Sequence, residues 1–139
     1  MDVLNDACQN IVENVSGAVA CGIVDLTNGD LIGIYNAAEY SPGHNAVVAA
    51  ATMDLFRGSN VVRTEQLVRE HRGVPEDGEH YMDEVFMSSK HLYHFAKVIG
   101  NGNAVVMLVT RKTANLGLGW AQLKAAIPKV EPLVLRRMS

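Results

Sequence analysis

The stretch Ala104 to Ala126, AVVMLVTRKTANLGLGWAQLKAA, constrains this fold more than any other. Six consecutive apolar residues, Ala104 to Val109, fall far short of a bilayer span and suit a strand covered on both faces. Thr110, Arg111, Lys112, Thr113 and Asn115 follow as a polar bend, and Leu116-Gly117-Leu118 then opens a segment with helical periodicity. No nucleophile, metal ligand or phosphate cradle sits at that turn. The module demands a layer of structure on each side of a sheet.

The rest of the composition agrees with a globular chain that buries extra surface against a partner. Of 139 residues, 48% are apolar and 19% charged, enough for one domain with its own core over 1–139. A formal charge of −3 offers no basic footprint, so nucleic acid is not expected as a partner. Cys8 and Cys21 match no zinc or redox spacing, fall in core-like segments and read as small hydrophobes in a reduced, cytoplasmic setting. The N-terminus MDVLNDACQN lacks the pattern of a secretory signal, and membrane insertion is not expected either.

Along the chain, Leu4, Ala7, Cys8, Ile11, Val12 and Val15 recur at helical spacing within residues 2–18, with Asp2 as N-cap and Gly17 as stop. The run VACGIVDLTNGDLIGIYN predicts strands over 19–26 and 31–36 around an Asn28-Gly29 turn, where both residues tolerate positive φ. Ser41-Pro42-Gly43 breaks the chain, and His44 to Arg57 predicts a second helix that is apolar almost all round. One of its faces holds Ala46, Ala49, Ala50 and Met53, another Val47, Val48, Ala51 and Leu55. One face should cover the sheet, and the other should admit a second helix closely, as a symmetric dimer would provide. Residues 58–82 contain a short helix capped by Thr64, with Leu67 and Val68 on one side, then a polar loop at Gly73, Pro75 and Gly78. EVFMSS, HLYHFAKVIG and AVVMLVT read as three more strands, the last two joined at Asn101-Gly102-Asn103. From Ala114 to Leu135 the chain is helical, with a kink or restart expected at Pro128 and a short terminal turn after Pro132. The order αββαβββα is an α/β sandwich: a five-stranded antiparallel sheet with helices on both faces.

Candidate chemistry is sparse. His91 and His94 on one strand would point to opposite faces, so they fail as a metal pair. His71, Glu76, Asp77, Glu79 and His80 are ligand types without ligand spacing, in a loop that reads as solvated; His44 has no partner type fixed beside it. Ser41, Ser88 and Ser89 lack a nucleophile elbow, and Cys21 reads as packing. Gly22 and Gly33 belong to no nucleotide-binding motif. Gly117 and Gly119 place backbone amides where an anion could sit, but close packing of the helix on the sheet is the simpler role. Trp120 is compatible with core or surface. No catalytic residue, cofactor site or metal site is assigned, and the chain is not expected to be an enzyme.

The pattern resembles the roadblock family, the group related to dynein light chains. Val24, Asp25, Gly29, Leu31 and Ile32 match its first hairpin, Asn45 to Phe56 its alanine-rich second helix, and Val105 to Leu118 its strand–bend–helix module ending in Asn-Leu-Gly-Leu. The likeness spans residues 4–57 and 84–127; the link at 58–82 is longer than the family's usual one. It implies a profilin-like architecture and a non-catalytic adaptor that forms homodimers or heterodimers through helix two and strand three. It also implies small Ras-like GTPases as partners, either scaffolded or regulated. Carried onto this sequence, the dimer interface would comprise Ala46, Ala49, Ala50, Met53 and Arg57 with Glu84, Phe86 and Ser88. The alternative is a small-molecule sensor or enzyme subunit on the same architecture, with 58–82 as a lid and a polar cavity beside 71–80.

Overall fold

A computed structural model describes residues 2–37, 42–76 and 78–139, with the backbone alone for 42–46. Its elements are α1 (Val3–Asn14), β1 (Ala18–Asp25), β2 (Leu31–Asn36), α2 (Pro42–Arg57), α3 (Ser59–Arg72), β3 (Glu84–Ser88), β4 (Leu92–Ile99), β5 (Ala104–Arg111) and α4 (Leu116–Met138). The five strands form one sheet in the order β2-β1-β5-β4-β3, and every neighbouring pair is antiparallel. This is the expected sandwich, with the helix of the 58–82 link added as α3.

The sheet separates two cores. Cys21, Ile23, Phe95, Ile99, Val106 and Leu108 point to the face covered by α1 and α4, where they meet Leu4, Cys8, Ile11, Leu123, Val130 and Val134. Val24, Ala96 and Val105 point to the other face and meet Ala49 and Phe56 of α2. Ala104, Val105 and Val106 of β5 are all at most 1% exposed, so both faces are dry where the apolar run begins, while Met107 and Val109 further along one face stay half-buried.

Local chemistry explains the boundaries. The Asp2 carboxylate accepts a hydrogen bond from the Leu4 amide at 2.8 Å, the N-cap that the sequence indicates. In the first hairpin only Gly29 takes positive φ (81°); among the described residues Asn101 is the non-glycine residue that does so. The turn is therefore not the two-residue type expected. Asn28 instead accepts from the Asp30 amide at 2.9 Å through its side chain, and the Gly29 amide donates to Asp25 O at 2.8 Å, closing a longer loop. The link helix begins earlier than expected: α3 is capped at Gly58, and the Thr64 hydroxyl donates back to Asn60 O at 2.8 Å. Ser41, His44 and Asp77 fall outside the described residues or side chains.

Helix α4 corrects a second expectation. It runs unbroken for 23 residues through Pro128 and Pro132. The two prolines are one turn apart on the exposed side with Lys124, so water can serve the carbonyls of residues 124 and 128 that lose an amide donor. The buried side, Gly119, Leu123, Val130 and Val134, holds the helix on the sheet regardless.

The Asn-Leu-Gly-Leu start has a packing role. Asn115 caps α4, accepting from the Leu118 amide at 2.9 Å. A Cβ on Gly119 would lie 2.8 Å from Phe95 Cζ, a ring with no exposed surface. Trp120 is half-buried and meets Phe95 edge-on, centroids 5.1 Å apart. At Gly117 the nearest atom to an added Cβ is Asn115 Oδ1 at 3.4 Å. Alanine gains up to about 1 kcal/mol of helix propensity at either position, whereas overpacking costs about 1–3 kcal/mol. Gly117→Ala is therefore expected to raise the melting temperature slightly, and Gly119→Ala to lower it. A Gly119→Ala protein that melts above the parent would contradict the close packing.

Candidate interaction face and polar cleft

The two sheet faces are not covered equally. On the α1/α4 side the central strands are sealed, whereas α2 seals only Val24, Val105 and their neighbours. Met107, Val109 and His94, further along the same face, remain half-buried. An apolar groove of about 130 Å³ runs between α2 and the edge strand, walled by Val48, Ala51 and Leu55 on one side and by Val85, Met87 and His94 on the other. It continues into a hollow of about 250 Å³ over Gly22, Ile34, Leu92 and Val109. Thr52 is the polar exception on the buried side of α2, and its hydroxyl lies 2.8 Å from Val48 O and 2.9 Å from Met107 Sδ.

These positions correct the interface read from the sequence. Ala49 is 3% exposed and packs in the core beneath α2, with Met53 half-buried beside it, so that stripe covers the sheet rather than a partner. Arg57 is tied down, donating to Gly102 O at 2.7 Å and to Phe56 O at 3.0 Å. The outward stripe is Val47, Ala50 and Ala51, with Val47 69% exposed. The side chain of Ala46 lies outside the description. Glu84, Phe86 and Ser88 pair with Lys97, Phe95 and Tyr93, which places them on the α4 side of the sheet, opposite α2. The β3 residues on the α2 side are Val85 and Met87. Helical periodicity identified both stripes of α2 but could not say which one the sheet would claim; strand parity relative to α2 is invisible without the register.

A second concavity, about 590 Å³, lies where the sensor reading expects one. It is bounded by Arg57, residues 78–83, the β4–β5 hairpin and Glu131. Its charged groups are already engaged. His80 Nδ1 lies 2.8 Å from Glu65, Lys97 pairs with Asp83, and Glu131 accepts from the Gly100 amide at 2.8 Å. Among the described residues no group of three or more His, Cys, Asp or Glu side chains is gathered to hold a metal ion. The hydrogen bond that the Cys21 thiol shares with Cys8 as donor, together with burial, pushes its pKa well up, which leaves it a core thiol and not a nucleophile. Ser89 Oγ does lie 3.0 Å from His94 Nε2, a pair the sequence did not single out. Burial lowers the His94 pKa, but no carboxylate orients the ring among the described residues, and the pair serves to close the β3–β4 turn.

The polar segments 74–76 and 78–83 are exposed throughout, as expected of a solvated loop, but they carry an ordered contact as well. They fold back on two charged residues of α3, Glu65 and Arg69, each 4% exposed. Glu65 accepts from His80 and from the Tyr81 amide; Arg69 binds Glu76 through Nε (3.1 Å) and a terminal nitrogen (2.9 Å), donates to Glu79 O at 2.6 Å and lies 5.4 Å over the Tyr81 ring. Burial raises the Glu65 pKa, but the hydrogen bonds from His80 and Tyr81 and the charges of His80 and Arg57 outweigh it, so the carboxyl sits below its ordinary value. Its contribution to stability is thus present above the unfolded glutamate pKa of about 4.3 and lost as pH falls through the depressed value. Glu65→Gln should lower the melting temperature above about pH 5, and the gap to the parent should close in more acid solution. A gap that stays constant from pH 7 to pH 3 would contradict this role.

No family sequence profile matches the chain, and no curated protein matches it in sequence. Solved structures do. Myxococcus xanthus MglB superposes with a TM-score of 0.68 at 18% identity, over 94% of each chain. An MglB structure described as having a tetrameric arrangement gives 0.65 at 19% identity, over 91% of this chain and 84% of that one. A roadblock/LC7 domain from Streptomyces avermitilis gives 0.67 at 14% identity, over 95% and 98%. No helix among the described residues is long and apolar enough to cross a membrane. Five antiparallel strands in this order, with α1 and α4 on one face and α2 on the other, give this chain the roadblock fold.

Proposed function

We propose that this chain is one domain that pairs with a second copy and acts, as a pair, as a non-catalytic adaptor or regulator of a small Ras-like GTPase in the cytoplasm. The observation that carries the pairing is the combination of an outward apolar stripe on α2, the groove beside it and the unpaired edge of β3. An edge strand with free backbone groups and apolar flanks invites another strand. The small side chains of Ala50 and Ala51 let a second helix come close. The interface then comprises Val47, Ala50, Ala51 and Leu55 with Val85, Met87 and the β3 edge. The GTPase rests on the family resemblance alone. The adaptor role is favoured over the sensor reading because the charged groups bordering the polar cleft hold one another and leave little to recognise a ligand.

Ala50 is exposed on α2, so Ala50→Glu should fold normally. Placing two carboxylates across a dry twofold contact costs several kcal/mol. Sedimentation should therefore show a dimer for the parent at micromolar concentration and a folded monomer for the variant. A strictly monomeric parent, or a variant dimer of unchanged affinity, would contradict the pairing. Affinity capture with mass spectrometry tests the partner: recovery of a Ras-like GTPase supports the regulator, whereas a small molecule co-purifying in the cleft supports the sensor.

A further inference from the structure

All 15 carboxylates of this acidic chain lie outside residues 85–130, a stretch that holds six Lys and Arg. The fold gathers part of that positive charge at one place. Leu92 pairs with Arg111, which brings the β3–β4 turn carrying Lys90 beside the β5–α4 bend carrying Lys112. Lys97 and Lys124 are neutralised by Asp83 and Glu84, but Lys90, Arg111 and Lys112 make no ion pair among the described residues.

Beside these cations, on the α4 side of the sheet, lies an aromatic ledge. Helix α4 covers β5 and β4 and stops short of β3. Phe86 is consequently 39% exposed although its ring packs tilted against Tyr93 and edge-on against Phe95, with centroids 5.5 Å and 5.3 Å apart. Trp120 forms the far wall through its edge-on contact with Phe95. Lys112 stands 5.8 Å over the Tyr93 ring, so a cation without an ion pair among the described residues borders the ledge at that end, whereas Lys124, 5.4 Å over Trp120, is paired with Glu84 at the other.

We infer that this ledge docks an acidic segment of a partner protein, one that presents an aromatic or aliphatic side chain to Phe86 and Trp120 and carboxylates to Lys90 and Lys112. Charge complementarity selects the sign of the occupant: an open cationic rim on a chain of net charge −3 attracts a carboxylate-bearing segment locally. The exposed ring between the cations selects a segment with an apolar anchor rather than a bare polyanion. The overall negative charge disfavours a long anionic surface such as a membrane or a duplex, where repulsion from the rest of the molecule would accumulate. The ledge faces away from α2, so the inference does not depend on pairing through that helix.

Trp120 is the chain's single tryptophan and reports on the ledge directly. The probe is a glutamate-rich peptide carrying two phenylalanines, titrated against the intact protein while Trp120 emission is followed. A counterpart with lysine in place of glutamate serves as control. Expected is a saturable emission change with the acidic peptide that weakens as salt rises, and none with the lysine peptide. Lys90→Glu combined with Lys112→Glu should weaken binding at least tenfold, and Phe86→Ser should weaken it with little salt dependence of the loss. Ala50→Glu, on the opposite face, should leave it unchanged. Melting curves establish that each variant is folded; both lysine positions are exposed. The inference is overturned by an absent or non-saturable response, by equal binding of the lysine peptide, by a charge-reversed variant that binds like the parent, or by phosphatidylserine vesicles or DNA binding where the peptide does not.

Discussion

Burial of β5 on both faces is the constraint from which the rest follows. A strand whose consecutive side chains Ala104, Val105 and Val106 are all excluded from water cannot lie on a two-layer domain's surface. Each such valine contributes about 1.5–3 kcal/mol when fully buried, and exposing either row would forfeit that contribution. β5 must therefore be central, with β1 and β4 on its flanks and helices above and below the sheet. The three-layer order then dictates where α4 goes. It enters from the polar bend after β5 and must drop immediately onto Phe95, which only Gly119 permits.

The two layers differ in completeness, and that difference is where function enters. Helices α1 and α4 together seal their face, and the Phe95–Trp120 contact fixes their approach. Among the described residues, helix α2 is the one helix packed on the other face, and it leaves a groove against β3 and a hollow beyond it. The exposed Val47 and the half-buried Met107 are consequences of one helix doing the work of two. On the sealed side the imperfection is smaller: α4 ends its coverage before β3 and leaves Phe86 at the edge. Both openings border the same edge strand, from opposite sides, so a partner strand on β3 and an acidic segment on the ledge would be neighbours rather than competitors.

Much of this architecture was legible in the residues. The strand at 104–111, the helix at 3–14 and the strand at 31–36 follow from periodicity and turn residues, because those signals are local. The packing role of Gly119 was anticipated in kind, though not its neighbour. What escaped the sequence depends on register. Ala49 and Ala50 are adjacent and chemically alike, yet one is core and the other surface, and only the sheet's position separates them. Glu84, Phe86 and Ser88 share a strand with Val85 and Met87 but lie on the face away from α2. The prolines of α4 misled because proline's cost depends on whether water reaches the freed carbonyls, which composition does not reveal. The buried Glu65 and Arg69 escaped for a similar reason: their partners lie 7 to 16 residues away in a loop without periodicity.

The central claim is that the free edge of β3 is an interface between copies of this chain. Amide hydrogen exchange across a range of protein concentrations tests it most directly. The β3 amides that point away from β4 have no hydrogen-bond partner among the described residues, so their exchange reports on pairing. If the account is right, protection at those amides rises with concentration, together with protection along the outward turn of α2, while the β4–β5 ladder stays constant. Exchange of the β3 edge that is fast and unchanged at every concentration would contradict it.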